Sequence, residues 1–130
     1  MKTENLGAIA ERVGRVPTYP RGGAAPRIVH IGVGGFHRSH MALYTDELAH
    51  GGSDWRICGL GMLEHDRRMA DALAAQDHLY TLIERQSDAT TVTVIGSITE
   101  YCLAVDDHSI GAKRIAVGRA GHADAGRACR

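Results

Sequence analysis

The chain has 130 residues, enough for one domain with a real hydrophobic core and short for a two-domain enzyme. Fifteen Lys and Arg balance fifteen Asp and Glu, so the overall charge calls for neither nucleic acid nor an anionic membrane and points to a small ligand. Cys58, Cys102 and Cys129 are too widely spaced for a disulfide framework or a CxxC zinc knuckle, which predicts a reducing cytoplasm. Lys2, Glu4, Glu11 and Arg12 leave no export signal at the N-terminus, and no apolar run approaches the roughly 18 residues a bilayer span requires.

In chain order, "ENLGAIAERV" (residues 4–13) places Leu6, Ile9, Ala10 and Val13 at helical spacing. "GRVPTYPRGGAAP" follows with all three prolines, Pro17, Pro20 and Pro26, and reads as an extended lead-in, so the core is expected to begin at Arg27. "RIVHI" predicts a buried strand and "GVGGF" a tight loop. "HRSHMALYTDELAH" predicts one helix carrying His37, Met41, Tyr44 and Leu48 along a stripe and stopped by Gly51 and Gly52.

A second strand, loop and helix come next in "WRICG", "LGMLE" and "HDRRMADALAAQ". The helix sets Met69, Ala72, Leu73 and Gln76 opposite Arg67, Arg68 and Asp71. "LYTLIER" and "TVTVIGS", joined by the polar "QSDAT", predict an antiparallel hairpin and hence a mixed sheet. From Asp107 onward, "DHSIGAKRIAVGRAGHADAGRACR" is rich in Ala, Gly, Arg and His and predicts a disordered tail. The fold class is α/β: a partial dinucleotide-binding domain of Rossmann type with a mostly parallel sheet and a β-hairpin addition.

The segment with most chemistry is "RIVHIGVGGFHRSH" (residues 27–40). A strand ending in Gly32-Val33-Gly34 and feeding a helix has the layout that holds a dinucleotide pyrophosphate. Gly32 permits the turn, Gly34 lets the backbone approach the phosphates, and the first helical N–H groups together with Arg38 supply favourable charge. The third glycine of a GxGxxG fingerprint is replaced by His37, so the bare motif is weak, and two glycines at a strand–helix turn also suit a plain turn. His30, His37 and His40 leave a zinc site open as a third reading, without any Cys, Asp or Glu at ligand spacing to complete it. No GxSxG, HExxH or P-loop is present, and Glu64, Asp66 and Asp71 read as capping or solvated helix charges.

Five segments in order, "IVHIGVGGFHRSH", "YTDEL", "DWRICGLGM", "DRRMADALAAQDHLYTL" and "VIGSITEYCLA", resemble the N-terminal part of the long-chain mannitol dehydrogenase family over residues 27–106. That resemblance implies an NAD(P)-dependent oxidoreductase that interconverts polyols or sugar acids with their keto forms: mannitol with fructose, or alternatively the fructuronate/tagaturonate reductase or arabinitol dehydrogenase branch. It implies a cofactor phosphate loop of Gly32, Gly34, Gly35, Phe36, His37 and Arg38, with Asp66 on the adenosine ribose selecting NAD, and no resident metal. Arg67 and Arg68 beside Asp66 leave NADP open. The polyol or ketose partner belongs to a substrate domain whose catalytic lysine, asparagine and histidine have no counterpart here, so no catalytic residue is assigned.

The resulting organisation is residues 1–26 as helix and lead-in, 27–106 as the N-terminal part of the NAD-binding domain, and 107–130 as a divergent tail. The composition of that tail is what an out-of-frame reading of a GC-rich gene would produce. The expectation is therefore a fragment inactive on its own, with a non-catalytic nucleotide-binding module as a further alternative. Its unfinished sheet should leave apolar edges exposed and give marginal stability or aggregation.

Overall fold

The computed structural model of the protein describes residues 1–23, 25–107 and 109. The sequence reading of the tail lies outside the described residues, apart from Asp107 and Ser109. The elements in chain order are α1 (Leu6–Ala10), β1 (Ile28–Ile31), α2 (Gly35–Ser39), α3 (Met41–His50), β2 (Ile57–Gly61), α4 (Arg67–Ala74), β3 (Tyr80–Arg85), β4 (Thr90–Ile95) and β5 (Ile98–Leu103).

Three strands form a parallel sheet in the order β1-β2-β5, with Ile31 opposite Leu60 and Leu60 opposite Cys102. The central strand β2 is buried along its whole length, as an apolar run covered on both faces requires. Its glycines are dictated by packing. A Cβ at Gly59 would stand 2.6 Å from Val33 Cγ2 and 2.8 Å from Tyr101 Cδ2, and one at Gly61 would stand 2.7 Å from Asp66 Cβ. The loop after β1 and the turn after β2 are thus pressed onto the middle strand at the two places that lack side chains.

The hairpin β3–β4 is antiparallel, with Tyr80 opposite Ile95, as the sequence predicts. It forms a separate two-stranded sheet, which corrects the expectation of one mixed sheet. β5 was not among the elements read from periodicity, because Thr99 and Glu100 interrupt its apolar run. On folding it supplies Ile98, Tyr101 and Leu103 to the core that also holds Val33, Ile57 and Leu73.

Two further readings are corrected. The core does not begin at Arg27: Leu6 and Val16 pack with Leu79 and Val94 in a second cluster. Gly14 donates its N–H to Val92 O and Arg15 accepts from Val94 N–H, each at 2.8 Å, so the lead-in lies along β4. Arg21 then ties it down through the carbonyls of Gly96 and Asp77, at 3.0 and 2.6 Å. Tyr19 donates to the fully buried carboxylate of Asp46, which also accepts the Gly96 N–H at 2.8 Å. The prolines keep this stretch extended, and the bonds come from the residues between them.

The predicted single helix after the glycine loop is two helices broken at His40, where φ is −124° and ψ −81°. Ser39 Oγ donates to the carbonyl of Gly35 at 2.9 Å, and the His40 ring bonds the carbonyl of Phe36 at 2.9 Å, so side chains compete with the helical ladder there. In α3 the buried face is Ala42, Thr45, Asp46 and Ala49. The stripe of Met41, Tyr44 and Leu48 faces outward, with Tyr44 58% and Leu48 63% exposed.

Candidate functional site

The site grows out of the end of β1. Gly32 turns the chain at φ +78°, a region in which a side chain would be strained, while its N–H still donates to Leu60 O of β2 at 2.8 Å. Val33 then dips into the core over Gly59, and Gly34 caps α2. A Cβ at Gly32, Gly34 or Gly35 would meet nothing within 4 Å, so the turn opens onto space. The first N–H groups of α2 have no intrahelical acceptor and carry the positive end of the helix dipole.

His37 is buried, yet neither ring nitrogen has a hydrogen-bond partner. Its ring stacks on His30 at a centroid distance of 3.8 Å. His30 is held by its own Nδ1, 2.7 Å from Gly32 O; a carbonyl accepts, so Nδ1 carries the proton. Burial first, then the nearby His30 and Arg38, push His37 down to about 4, and it is neutral at pH 7. A neutral imidazole with two unpaired nitrogens can both donate and accept.

Arg38 is positioned from the hairpin. Tyr80 donates to the Arg38 carbonyl at 2.5 Å, and its ring lies 5.8 Å beneath the Arg38 guanidinium carbon. A cavity of about 720 Å³ opens beside the loop, lined among others by His30, Gly34, Phe36, His37 and Tyr44. Phe36 itself is 79% exposed.

Asp66 stands at the same end of the sheet, with its Cβ against Gly61 at the end of β2. One carboxylate oxygen, Oδ2, accepts the backbone N–H groups of Met62 and Leu63 at 2.9 and 3.0 Å. The other, Oδ1, lies 3.7 Å from His65 Nε2 and accepts no hydrogen bond among the described residues.

Gly32, Gly34, Gly35, Phe36, His37 and Arg38 therefore stand together at the turn, and Asp66 lies in the turn that follows β2, its Cβ packed against Gly61 at the end of that strand. His40 turns away to stack on Phe36, so the three histidines do not converge as a ligand set. Sequence reasoning missed Tyr80 as a positioning residue, and read Gly61 as part of a loop. It also missed that Cys58, Glu100 and Cys102 meet across β2 and β5, their side-chain donor atoms all within 4.8 Å, on the face that also carries Leu60 and Ala104. That meeting depends on strand pairing between residues far apart in the chain.

A parallel sheet, a glycine turn into a helix and a carboxylate at the end of the neighbouring strand define a dinucleotide-binding α/β domain. The mannitol dehydrogenase Rossmann domain matches residues 26–116, running past Asp107, where the sequence reading placed the end of the resemblance. The chain belongs to the mannitol dehydrogenase family. It is 51% identical over 113 residues to a mannitol 2-dehydrogenase of Neosartorya fischeri, covering 82% of this chain and 22% of that one. Against a mannitol 2-dehydrogenase of Pyricularia oryzae it is 48% identical over 105 residues, covering 79% and 21%. Its fold matches Pseudomonas fluorescens mannitol 2-dehydrogenase in ternary complex with NAD and D-mannitol, with a TM-score of 0.82 and 44% identity over 90% of this chain and 25% of that one. A D-sorbitol dehydrogenase in substrate-free form matches with a TM-score of 0.70 and 37% identity over 77% of this chain and 21% of that one. The chain thus spans about a fifth of the length of the curated relatives it matches.

Proposed function

We propose that this chain holds the adenosine-diphosphate end of NAD in an NAD-dependent polyol oxidoreductase of the mannitol-to-fructose type. The observation that carries the reading is the open glycine turn at Gly32–Gly35, hydrogen-bonded to β2 and bordered by a buried His37 whose ring nitrogens have no partner. These residues fit the group: three glycines leave the backbone approachable, and an unpartnered imidazole is costly unless something polar meets it.

Gly34, Gly35 and Phe36 would offer backbone N–H groups to the diphosphate, Arg38 a cation, and His37 a neutral donor. Asp66 Oδ1 would accept from the adenosine ribose. Bound NAD supplies the acceptor for the hydride that leaves a carbinol carbon. Alternation between a polyol and its ketose is favoured by the D-mannitol of the Pseudomonas fluorescens complex and by the names of the curated relatives. Their cofactor and substrate come to this chain by likeness, with the fructuronate and arabinitol branches as the alternatives.

No helix among the described residues is long and apolar enough to cross a membrane; we place the protein in the cytoplasm. Residues 27–106 form the cofactor unit and residues 1–26 its support. We assign hydride transfer itself to segments that the relatives have beyond the matched fifth of their length, and the 130 residues by themselves are expected to bind NADH without turnover. Titration with NADH, followed by addition of fructose while nicotinamide absorbance is recorded, tests both halves. Saturable binding with constant absorbance is expected. Absence of binding refutes the cofactor reading, and oxidation of NADH by this chain refutes the inactive one.

A further inference from the structure

Arg67 opens α4 directly after Asp66, at the end of the site that would take the adenosine ribose. An arginine in this neighbourhood is what a 2′-phosphorylated nucleotide uses in place of a ribose-binding acid. Here its guanidinium is already occupied on two sides. Arg67 Nε donates to Glu64 Oε1 at 2.8 Å, while Nη2 and Nη1 fork onto Asp106 Oδ1 and Oδ2 at 2.6 and 3.2 Å. Glu64 comes from the turn before α4, and Asp106 from beyond β5, so two distant segments converge on one cation.

We propose that Glu64 and Asp106 set the nucleotide preference of this site by sequestering Arg67, so that a 2′-phosphate finds carboxylates where it needs a guanidinium. This rests on the adenosine ribose lying at Asp66. The fork on Asp106 is the stronger half, because a bidentate pair fixes the guanidinium plane as well as its charge. Both carboxyls are held below their ordinary range by hydrogen bonds from Arg67, so the cluster keeps its full charge at neutral pH. Asp66 excludes the 2′-phosphate directly, and Glu64 and Asp106 remove the residue that would otherwise compensate. Arg68 lies about 100° further round the helix and belongs to neither fork.

The test compares NADH and NADPH binding by calorimetry for the full chain, the double variant Glu64→Gln/Asp106→Asn, and the triple variant with Arg67→Gln added. All three positions are on the surface, and circular dichroism verifies the fold. In the double variant, NADPH affinity should rise about tenfold relative to NADH as the guanidinium is released. The added Arg67→Gln should cancel that gain. An unchanged NADPH-to-NADH ratio in the double variant overturns the proposal while leaving the cofactor reading intact. So does a gain that survives loss of Arg67, since charge removal alone would then explain it. Failure of every folded variant to bind NADH overturns the cofactor reading, and this proposal with it.

Discussion

The phenol of Tyr80, the first residue of β3, donates to the backbone carbonyl of Arg38 in α2 at 2.5 Å. Two segments 42 residues apart are joined there, and the hairpin becomes the support of the glycine loop. Burial holds the Tyr80 phenol above its ordinary pKa, so it remains a donor across the physiological range. Tyr80→Phe keeps the packing and removes the bond. Loss of one such bond is worth about 1 kcal/mol of stability. Thermal unfolding should register a modest drop in Tm, and calorimetry a several-fold loss of NADH affinity. An unchanged NADH affinity would show that the hairpin does not position the loop.

Two glycines should respond in opposite ways. Gly59→Ala drives a Cβ into Val33 and Tyr101, and overpacking of this kind costs about 1–3 kcal/mol. Gly34→Ala meets open space at a backbone geometry any residue adopts, φ −75° and ψ −177°, so the fold should be unharmed. Its methyl group would stand where the diphosphate must approach, and NADH binding should weaken by about tenfold or more, as when close backbone approach is blocked. Unfolding curves and NADH titrations of both variants check the pair. A Gly34→Ala chain that binds as well as wild type would mean the nucleotide does not cross this turn.

Acid should destabilise the protein through His37. Its pKa of about 4 in the fold lies below the ordinary 6.5, so the unfolded chain takes up the proton first. Stability is then complete above about pH 6.5 and falls as the pH drops toward 4. His78, lowered by burial and by Arg21, acts in the same direction. Asp77 is held down to about 2 by the Thr3 N–H and Lys2, and its contribution is lost only in a lower window, from about pH 3.8 downward. The fall in Tm between pH 7 and pH 5 should shrink in His37→Gln; an identical fall would assign the effect elsewhere.

The outward face of α2 and α3 is the other feature with a measurable consequence. Ile31, Phe36, Met41, Tyr44 and Leu48 are exposed large apolar side chains, and among the described residues β1 pairs with β2 on one edge only. An unpaired strand edge beside exposed apolar side chains favours association. Tyr44→Lys/Leu48→Lys should raise the concentration at which the chain stays monomeric by light scattering, without altering its circular dichroism. Equal association of the variant and the parent would exonerate this face.

How much of this was legible in the sequence follows from which interactions are local. The strand, glycine turn and helix start lie within residues 27–39, so Gly32, Gly34 and Arg38 are readable as one contiguous pattern, whereas Gly35, Phe36 and His37 join it only through the family resemblance. Asp66 needed the family resemblance, since its distance from the loop exceeds the spacing usual for a ribose-binding acid. Gly59, Gly61 and Tyr80 act through partners on other strands, and no window of sequence contains both members of such a pair. Met41, Tyr44 and Leu48 share a face of α3 as their spacing predicts, but His37, expected on the same stripe, is buried in α2; periodicity reports which residues share a face and is silent on a helix break and on what that face meets. The proline-rich lead-in reads as a tether because its hydrogen bonds reach residues 79 and 75 positions further on, from Arg15 to Val94 and from Arg21 to Gly96.

The central claim is that nucleotide enters at the glycine turn and ends at Asp66. Amide NMR of the labelled chain during titration with NADH addresses it residue by residue. Saturable shifts at Gly32, Gly34, Gly35, Phe36, His37, Arg38 and Asp66, with β3–β4 amides little changed beyond Tyr80, are the predicted result. Saturable shifts clustered on another surface, or none at these seven residues at NADH concentrations that saturate the calorimetric signal, would contradict it.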